Sequence, residues 1–226
     1  MTKLLILFAK APDPGRVKTR LIPFISDKEA AALQEALIVD SLDLCAEAKV
    51  PRAMACAPDP DHPFFIKCGQ DKDLILFRQE GPDLGARMRK AFDWGFSKGK
   101  EKVVLIGSDA PTLPVSFIQE AFERLDAASL VLGPSLDGGY YLIGAKAPLP
   151  DLFRGIAWGT DTVLTDTLER LNKLKHDVHL LPFWYDIDRP ADLAFLKAHL
   201  AHRGQDEIRR PRYTLDFIAK HPGGAQ

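Results

Sequence analysis

At 226 residues, with 46% hydrophobic and 27% charged, the chain is long enough for one domain around a sizeable core. Its formal net charge of −1 lacks the basic excess of nonspecific nucleic-acid binders, and no apolar run approaches the roughly 18 residues that span a bilayer. Cys45, Cys56 and Cys68 are odd in number with no CxxC spacing, so they read as small core residues in a reducing, cytoplasmic setting.

The first element is a strand over Leu4 to Ala9 rather than a signal peptide, because its apolar run is short and charged residues follow at once. It breaks into a loop with two prolines and a glycine, which carries Lys10, Arg16, Lys18 and Arg20. Ser26-Asp27-Lys28-Glu29 has the form of a capping box. A long helix follows, with Leu33, Leu37, Ile38, Leu42 and Cys45 at helical spacing. Ala53 to Ala57 and Leu74 to Phe77 read as short strands, and Leu84 to Phe96 as a helix with Met88, Ala91, Phe92 and Phe96 on one face. Val103 to Ile106 is a strongly apolar strand ending in Gly107-Ser108-Asp109, and Pro114 takes the first position of a helix to about Leu125. Strands over Leu130 to Leu132 and Tyr140 to Ile143 flank a glycine-rich turn. An amphipathic helix over Thr162 to Leu174, a strand over His179 to Pro182 and a helix over Pro190 to Leu200 complete the pattern. The polar tail after Ala201, with its run Arg209-Arg210-Pro211-Arg212, reads as solvated and poorly ordered. Alternation of this kind predicts an α/β domain with a mostly parallel central sheet flanked by helices.

Five motifs carry chemistry. The first loop is not a Walker loop, since Val17 stands where glycine must precede Lys18-Thr19. In an extended loop Arg16, Lys18 and Arg20 would point the same way and grip a diphosphate. Asp109 ends the most apolar strand, where a carboxylate either binds a phosphate-bound Mg²⁺ or Mn²⁺ or caps the turn into the next helix. Asp137-Gly138-Gly139-Tyr140-Tyr141 is either a hairpin turn or a close backbone approach to a ligand. Trp158-Gly159-Thr160-Asp161-Thr162 suits a sugar or alcohol acceptor, or a helix start capped by Thr160 or Asp161. In Tyr185-Asp186-Ile187-Asp188-Arg189-Pro190, Asp188 either caps a helix or supplies a second carboxylate to a metal. His199 and His202 have no third ligand evident and read as surface histidines.

With these motifs in order, residues 3 to 200 resemble the nucleotide-diphospho-sugar transferases of the Rossmann-like glycosyltransferase A fold. The likeness is to a little-characterised bacterial subfamily related to 2-phospholactate guanylyltransferase. The matching segments are Lys10 to Leu21, Gly81 to Met88, Gly107 to Pro111, Asp137 to Tyr141, Trp158 to Asp161 and Asp186 to Pro190. The resemblance implies one domain over residues 1–202, with 203–226 as a polar tail. It implies that Lys18 and Arg20 bind phosphates, that Arg87 and Gly85 lie near the nucleoside, and that Asp109 and Asp188 hold Mg²⁺ or Mn²⁺. Gly107 stands where the fold's usual Asp-x-Asp has its first acid.

The expected site is therefore Lys18, Arg20, Asp137 and Asp161 for catalysis, with Asp109 and Asp188 for the metal. Lys10, Gly15, Arg16, Gly85, Arg87, Gly138, Gly139 and Trp158 are expected to bind substrate. The expected partners are a nucleotide or nucleotide sugar and a small-molecule acceptor. The first expected activity is transfer from a metal-bound nucleotide sugar, with Asp161 or Asp137 as base toward the acceptor hydroxyl. The second is nucleotidylyl transfer to a phosphorylated small molecule with release of pyrophosphate. The third is nucleotide binding without catalysis on the same scaffold.

Overall fold

The opening apolar run forms β1 (Lys3–Lys10), and the side chains along it alternate between two cores. The structure is a computed structural model and describes residues 1–70, 73–202 and 210–221. Leu5, Leu7 and Ala9 face one layer of helices, and Leu4 and Ile6 the other, as the two-residue period of a strand requires. The same alternation runs through β2 (Arg52–Ala57) and β4 (Lys102–Gly107), where Val104 and Ile106 oppose Val103 and Leu105. β3 (Leu74–Arg78), β5 (Leu130–Pro134), β6 (Tyr140–Lys146) and β7 (Val178–Leu180) complete a seven-stranded sheet among the described residues, in the order β3-β2-β1-β4-β6-β5-β7. β1 pairs parallel with β2 and β4, and β2 with β3, while β6 runs antiparallel between β4 and β5.

On one face pack α1 (Asp27–Glu47), α2 (Pro63–Cys68) and α4 (Val115–Arg124), through residues such as Ile38, Phe65 and Phe122. On the other pack α3 (Leu84–Ser97) and α5 (Val163–Lys173), through Met88, Phe92 and Leu171. Burying each of these large apolar side chains is worth about 1.5–3 kcal/mol. Cys45 and Cys56 lie in the first core, as small core residues should. The Ser26 capping box is formed, with Ser26 Oγ accepting from Glu29 N and Glu29 Oε2 accepting from Ser26 N.

Several expectations are corrected. Pro114 is the extended residue before α4, not its first helical position. α2 is a six-residue helix that the sequence pattern does not reveal, being too short for periodicity to show. The tail expected to be poorly ordered contains α7 (Arg212–Lys220), whose Phe217 and Ile218 are buried against α1; its residues 203–209 and 222–226, Arg209 among them, lie outside the described residues. The first N–H groups of α7 find no cap within the helix; Asp40 of α1 supplies one, accepting from Tyr213 N, Thr214 N and Thr214 Oγ1. α6 (Pro190–His202) joins this third apolar cluster through Leu193, Leu196 and Leu200. His199 bonds the Tyr185 hydroxyl at 2.9 Å, so it belongs to packing rather than to the open surface.

Parallel pairing places the carboxyl ends of β1, β2, β3 and β4 at one edge, together with the start of β6. Chain connections leave β1 toward β2 and β3 on one side and toward β4 on the other. Such a reversal opens a crevice at that edge.

Candidate functional site

The crevice is a cleft of about 590 Å³, floored by the ends of β1 and β4 and walled by the cationic loop, Gln79, Arg87, Tyr140, Tyr141, Asp186 and Asp188. It gathers Lys10, Arg16, Lys18, Arg20, Arg87, Asp109 and Asp188 from four separate stretches of chain.

The loop after β1 is turned rather than extended, which corrects the alternation expected for its cations. Val17 and Leu21 are buried beneath it, leaving Arg16 and Arg20 exposed. Lys18, at φ +47° in the left-handed region, points inward instead. Its side chain is 3% exposed and its Nζ donates to Asp109 Oδ1 at 2.7 Å, Asp188 Oδ1 at 2.8 Å and Ile187 O at 2.7 Å. An ammonium has three N–H donors, and all three are matched here. Burial by itself would lower the Lys18 pKa, yet Asp109 and Asp188 together hold it above the ordinary lysine value. Asp188 shifts the opposite way: burial would raise its carboxyl, but Lys18, then Arg20 and Arg189, hold it below the ordinary aspartate value. Lys18 thus ties the end of β4 to the stretch before α6 and carries the charge between two carboxylates.

Asp109 is set by a relay from α1. Gln34 Nε2 donates to Ser108 Oγ, Ser108 Oγ to Asp109 Oδ1, and Ser41 Oγ to Ser108 O. Asp109 does not cap α4, whose first turn has no side-chain cap. Nor does the Asp188 side chain cap α6. It accepts from Lys18 and Arg20 instead, while Asp192 Oδ2, inside the helix, reaches back to accept from Asp188 N and Arg189 N. Both carboxylates are therefore left to face Lys18 and the cleft. Asp186, which also lines the cleft, is pushed up to about 8 by loss of solvent and by the fields of Asp109, Asp137 and Asp188, which outweigh Lys18.

Lys10 Nζ donates to Arg16 O at 2.6 Å, which folds the loop over the end of β1. Arg87 Nε donates to Gly81 O, leaving the outer nitrogens of its guanidinium at the cleft wall. Gly15, Gly85, Gly138, Gly139, Trp158, Asp137 and Asp161 do not line the cleft. A Cβ on Gly85 would meet the Trp158 ring at 2.5 Å, so that glycine lets tryptophan and α3 pack together. Gly138, at φ +89°, presses on the Asp161 backbone, where a Cβ would lie 2.0 Å from Asp161 O. Asp137 closes the hairpin, accepting from Ser135 Oγ and from Gly139 N. Neither Thr160 nor Asp161 occupies the N-cap of α5, which is Thr162. The residues missing from the expected set are Gln79, Gln34, Ser108, Asp186 and the two tyrosines. Gln79 lies one residue past β3, a strand-end position like that of Asp109 two residues past β4.

Residues 41–160, just over half of the chain, match the model of a family described as "Uncharacterized protein conserved in bacteria (DUF2064)". The chain belongs to that family. Over its full length it superposes on a protein from Desulfovibrio desulfuricans G20 provisionally named a nucleotide-diphospho-sugar transferase. The two are 32% identical with a TM-score of 0.88, and 97% of that chain is covered. Family and neighbour together place it in the nucleotide-diphospho-sugar transferase superfamily. The 3-phospho-D-glycerate guanylyltransferase of Phenylobacterium zucineum (strain HLK1) is 31% identical over 142 residues, 59% of this chain. The match spans 62% of that relative, short of two thirds of its length. The fold is shared more widely: 4-diphosphocytidyl-2C-methyl-D-erythritol synthase of Anaerococcus prevotii DSM 20548 superposes with a TM-score of 0.58 at 12% identity, covering 89% of this chain and 96% of that one. Among the described residues no helix is long and apolar enough to cross a membrane.

Proposed function

We infer that the cleft holds the phosphate chain of a nucleotide and that the protein transfers a group from that nucleotide to a small-molecule acceptor. The observation that carries the reading is the meeting of Lys10, Arg16, Arg20 and Arg87 with Asp109 and Asp188 at one sheet edge. Cations of this density neutralise and orient a polyphosphate, and they stabilise the charge that builds on its leaving group.

The donor chemistry fits Mg²⁺ or Mn²⁺. Asp109 and Asp188 offer oxygen alone, and both are more than a third exposed. Among the described residues no third acid, histidine or cysteine completes a closed metal cage, which suits an ion that keeps water and phosphate oxygens as its other ligands. Such an ion supplies Lewis-acid withdrawal of charge from the phosphates. Lys18, in this reading, positions the two carboxylates that hold it, while Arg16, Arg20 and Arg87 orient the phosphate oxygens.

Two transfers suit this arrangement. Glycosyl transfer needs a base for the acceptor hydroxyl, and Asp137 and Asp161 stand outside the cleft lining. The lining carboxylates Asp109 and Asp188 are engaged by Lys18. In nucleotidylyl transfer the attacking phosphate oxygen is already anionic. It forms a bond to the α-phosphorus as the bond from that phosphorus to the β-bridging oxygen breaks, and pyrophosphate leaves. No base is required, so the placement of the acids supports this second reading. The guanylyltransferase relative supports it as well, while the nucleotide-diphospho-sugar transferase neighbour supports the first.

The test is pyrophosphate release from each nucleoside triphosphate with Mg²⁺ or Mn²⁺ and a panel of phosphorylated small acids that includes 3-phosphoglycerate. Release with one triphosphate, abolished by EDTA, is expected. Turnover of a nucleotide sugar without pyrophosphate release would return the assignment to glycosyl transfer. A nucleotide at 100 times its Kd adds about 2.7 kcal/mol of stability. If no nucleotide or nucleotide sugar shifted the melting temperature or turned over, both readings would fall.

A further inference from the structure

At the end of the cleft away from Asp188, the lining changes from charge to a neutral amide. Gln79 follows β3, and its backbone N–H donates to Cys56 O at 2.9 Å. Its side chain reaches across the strand ends, with Nε2 donating to Ala55 O at 2.8 Å and to Ala9 O at 3.1 Å. Both amide N–H groups are thereby spent on β2 and β1. Turning the amide over would set its oxygen against two carbonyls, so the backbone fixes its orientation. Among the described residues Oε1 takes no hydrogen bond, and Gln79 lines the cleft between Leu84, Arg87 and Ala57. The protein therefore presents there a held acceptor whose own amide donors are both spent, with the Arg87 guanidinium as the charged group lining the cleft nearby.

An acceptor of this kind suits one edge among the common nucleobases. Guanine carries two adjacent donors, N1–H and the 2-amino group, and one carboxamide oxygen with two lone pairs can receive both. In adenine and cytosine a ring-nitrogen acceptor follows the amino group, and the spent Nε2 has nothing to offer it. Uracil flanks its single N–H with carbonyl oxygens that would oppose Oε1. We propose that Gln79 is the base-reading residue of the cleft and selects guanine. The inference rests on the reading that the cleft binds a nucleotide. It holds for a guanosine triphosphate and for a guanosine diphosphate sugar alike.

Calorimetric titration of the full chain with GTP, ITP and XTP in the presence of Mg²⁺ tests it. ITP lacks the 2-amino donor and XTP replaces it with a carbonyl. A lost hydrogen bond to a held acceptor predicts GTP about tenfold tighter than ITP, with XTP weaker still. In Gln79→Ala the GTP-to-ITP ratio falls to within about twofold. A merely structural role for Gln79 would weaken both ligands equally and leave the ratio unchanged, which overturns the proposal. Equal binding of the three triphosphates by the wild-type protein overturns it too, and needs no variant to fold. Tight binding of another base with none of guanine likewise sinks it while leaving the nucleotide reading intact. If no nucleotide of any base binds, the parent reading fails and takes this one with it.

Discussion

Lys18 shows how a single side chain can hold a site together. Three oxygens from two distant loops converge on one ammonium that solvent barely reaches. Replacing it by methionine leaves two facing carboxylates without their cation. Breaking a fully buried ion pair costs about 3–5 kcal/mol, and the partial exposure of both acids reduces this to about 1–3 kcal/mol here. For a chain of this length the melting temperature should fall by about 2–4 °C per kcal/mol. Lys18→Arg should not restore it, because a planar fork does not match three converging acceptors. A Lys18→Met protein with unchanged stability would mean that the ion pairs contribute nothing net. Arg20, half exposed and 3.5 Å from Asp188, makes the weaker contact and is the one poised to turn toward a ligand.

At the scale of elements, α7 depends on α1 for its N-terminus. The helix opens after Pro211 with no side-chain cap of its own, and buried Asp40 accepts from two of its N–H groups and from the Thr214 hydroxyl. Asp40→Ala should cost about 1–3 kcal/mol, since it leaves buried donors unsatisfied. Amide hydrogen exchange over residues 212–220 should accelerate by orders of magnitude while β1 and β4 keep their protection. Uniform acceleration across the chain would show that α7 unfolds together with the sheet. Asp40 gave no sign of this role in the sequence. It sits mid-helix, and its partner lies 174 positions away. The Ser26 capping box, by contrast, was legible because all of its atoms lie within four residues.

Over the whole molecule, the site is held in place by the two cores on either side of the sheet. Phe92 is fully buried in one of them, stacked on Phe96 at 6.0 Å and Phe153 at 6.2 Å, far along the chain from the cationic loop. Phe92→Ala should cost about 3–5 kcal/mol through lost burial and the cavity left behind. Circular dichroism and tryptophan fluorescence should report the same lowered denaturant midpoint if the two cores melt together. Two separated midpoints would instead mark them as independent units.

Local pattern decides local outcome, and by itself the sequence determined much of this protein. Alternation of apolar runs and helical periods specified the layered α/β sheet, because burial demands that each strand and helix hide its apolar face. The position of Lys10 and Asp109 just past apolar strands placed them at the carboxyl edge, since parallel strands all end there. The tertiary structure decided which of the remaining candidates meet. Asp137 and Gly138 form a hairpin packed against the Asp161 backbone, outside the cleft lining, and Gly85 makes room for Trp158. Gln79 and Asp186 reach the cleft through contacts between segments tens of residues apart, which no local period encodes. Lys18 was expected to reach out for phosphate. Its inward turn follows from the field of two carboxylates, one more than 90 and the other 170 residues further along the chain, and a charge that strong takes shape when the fold closes.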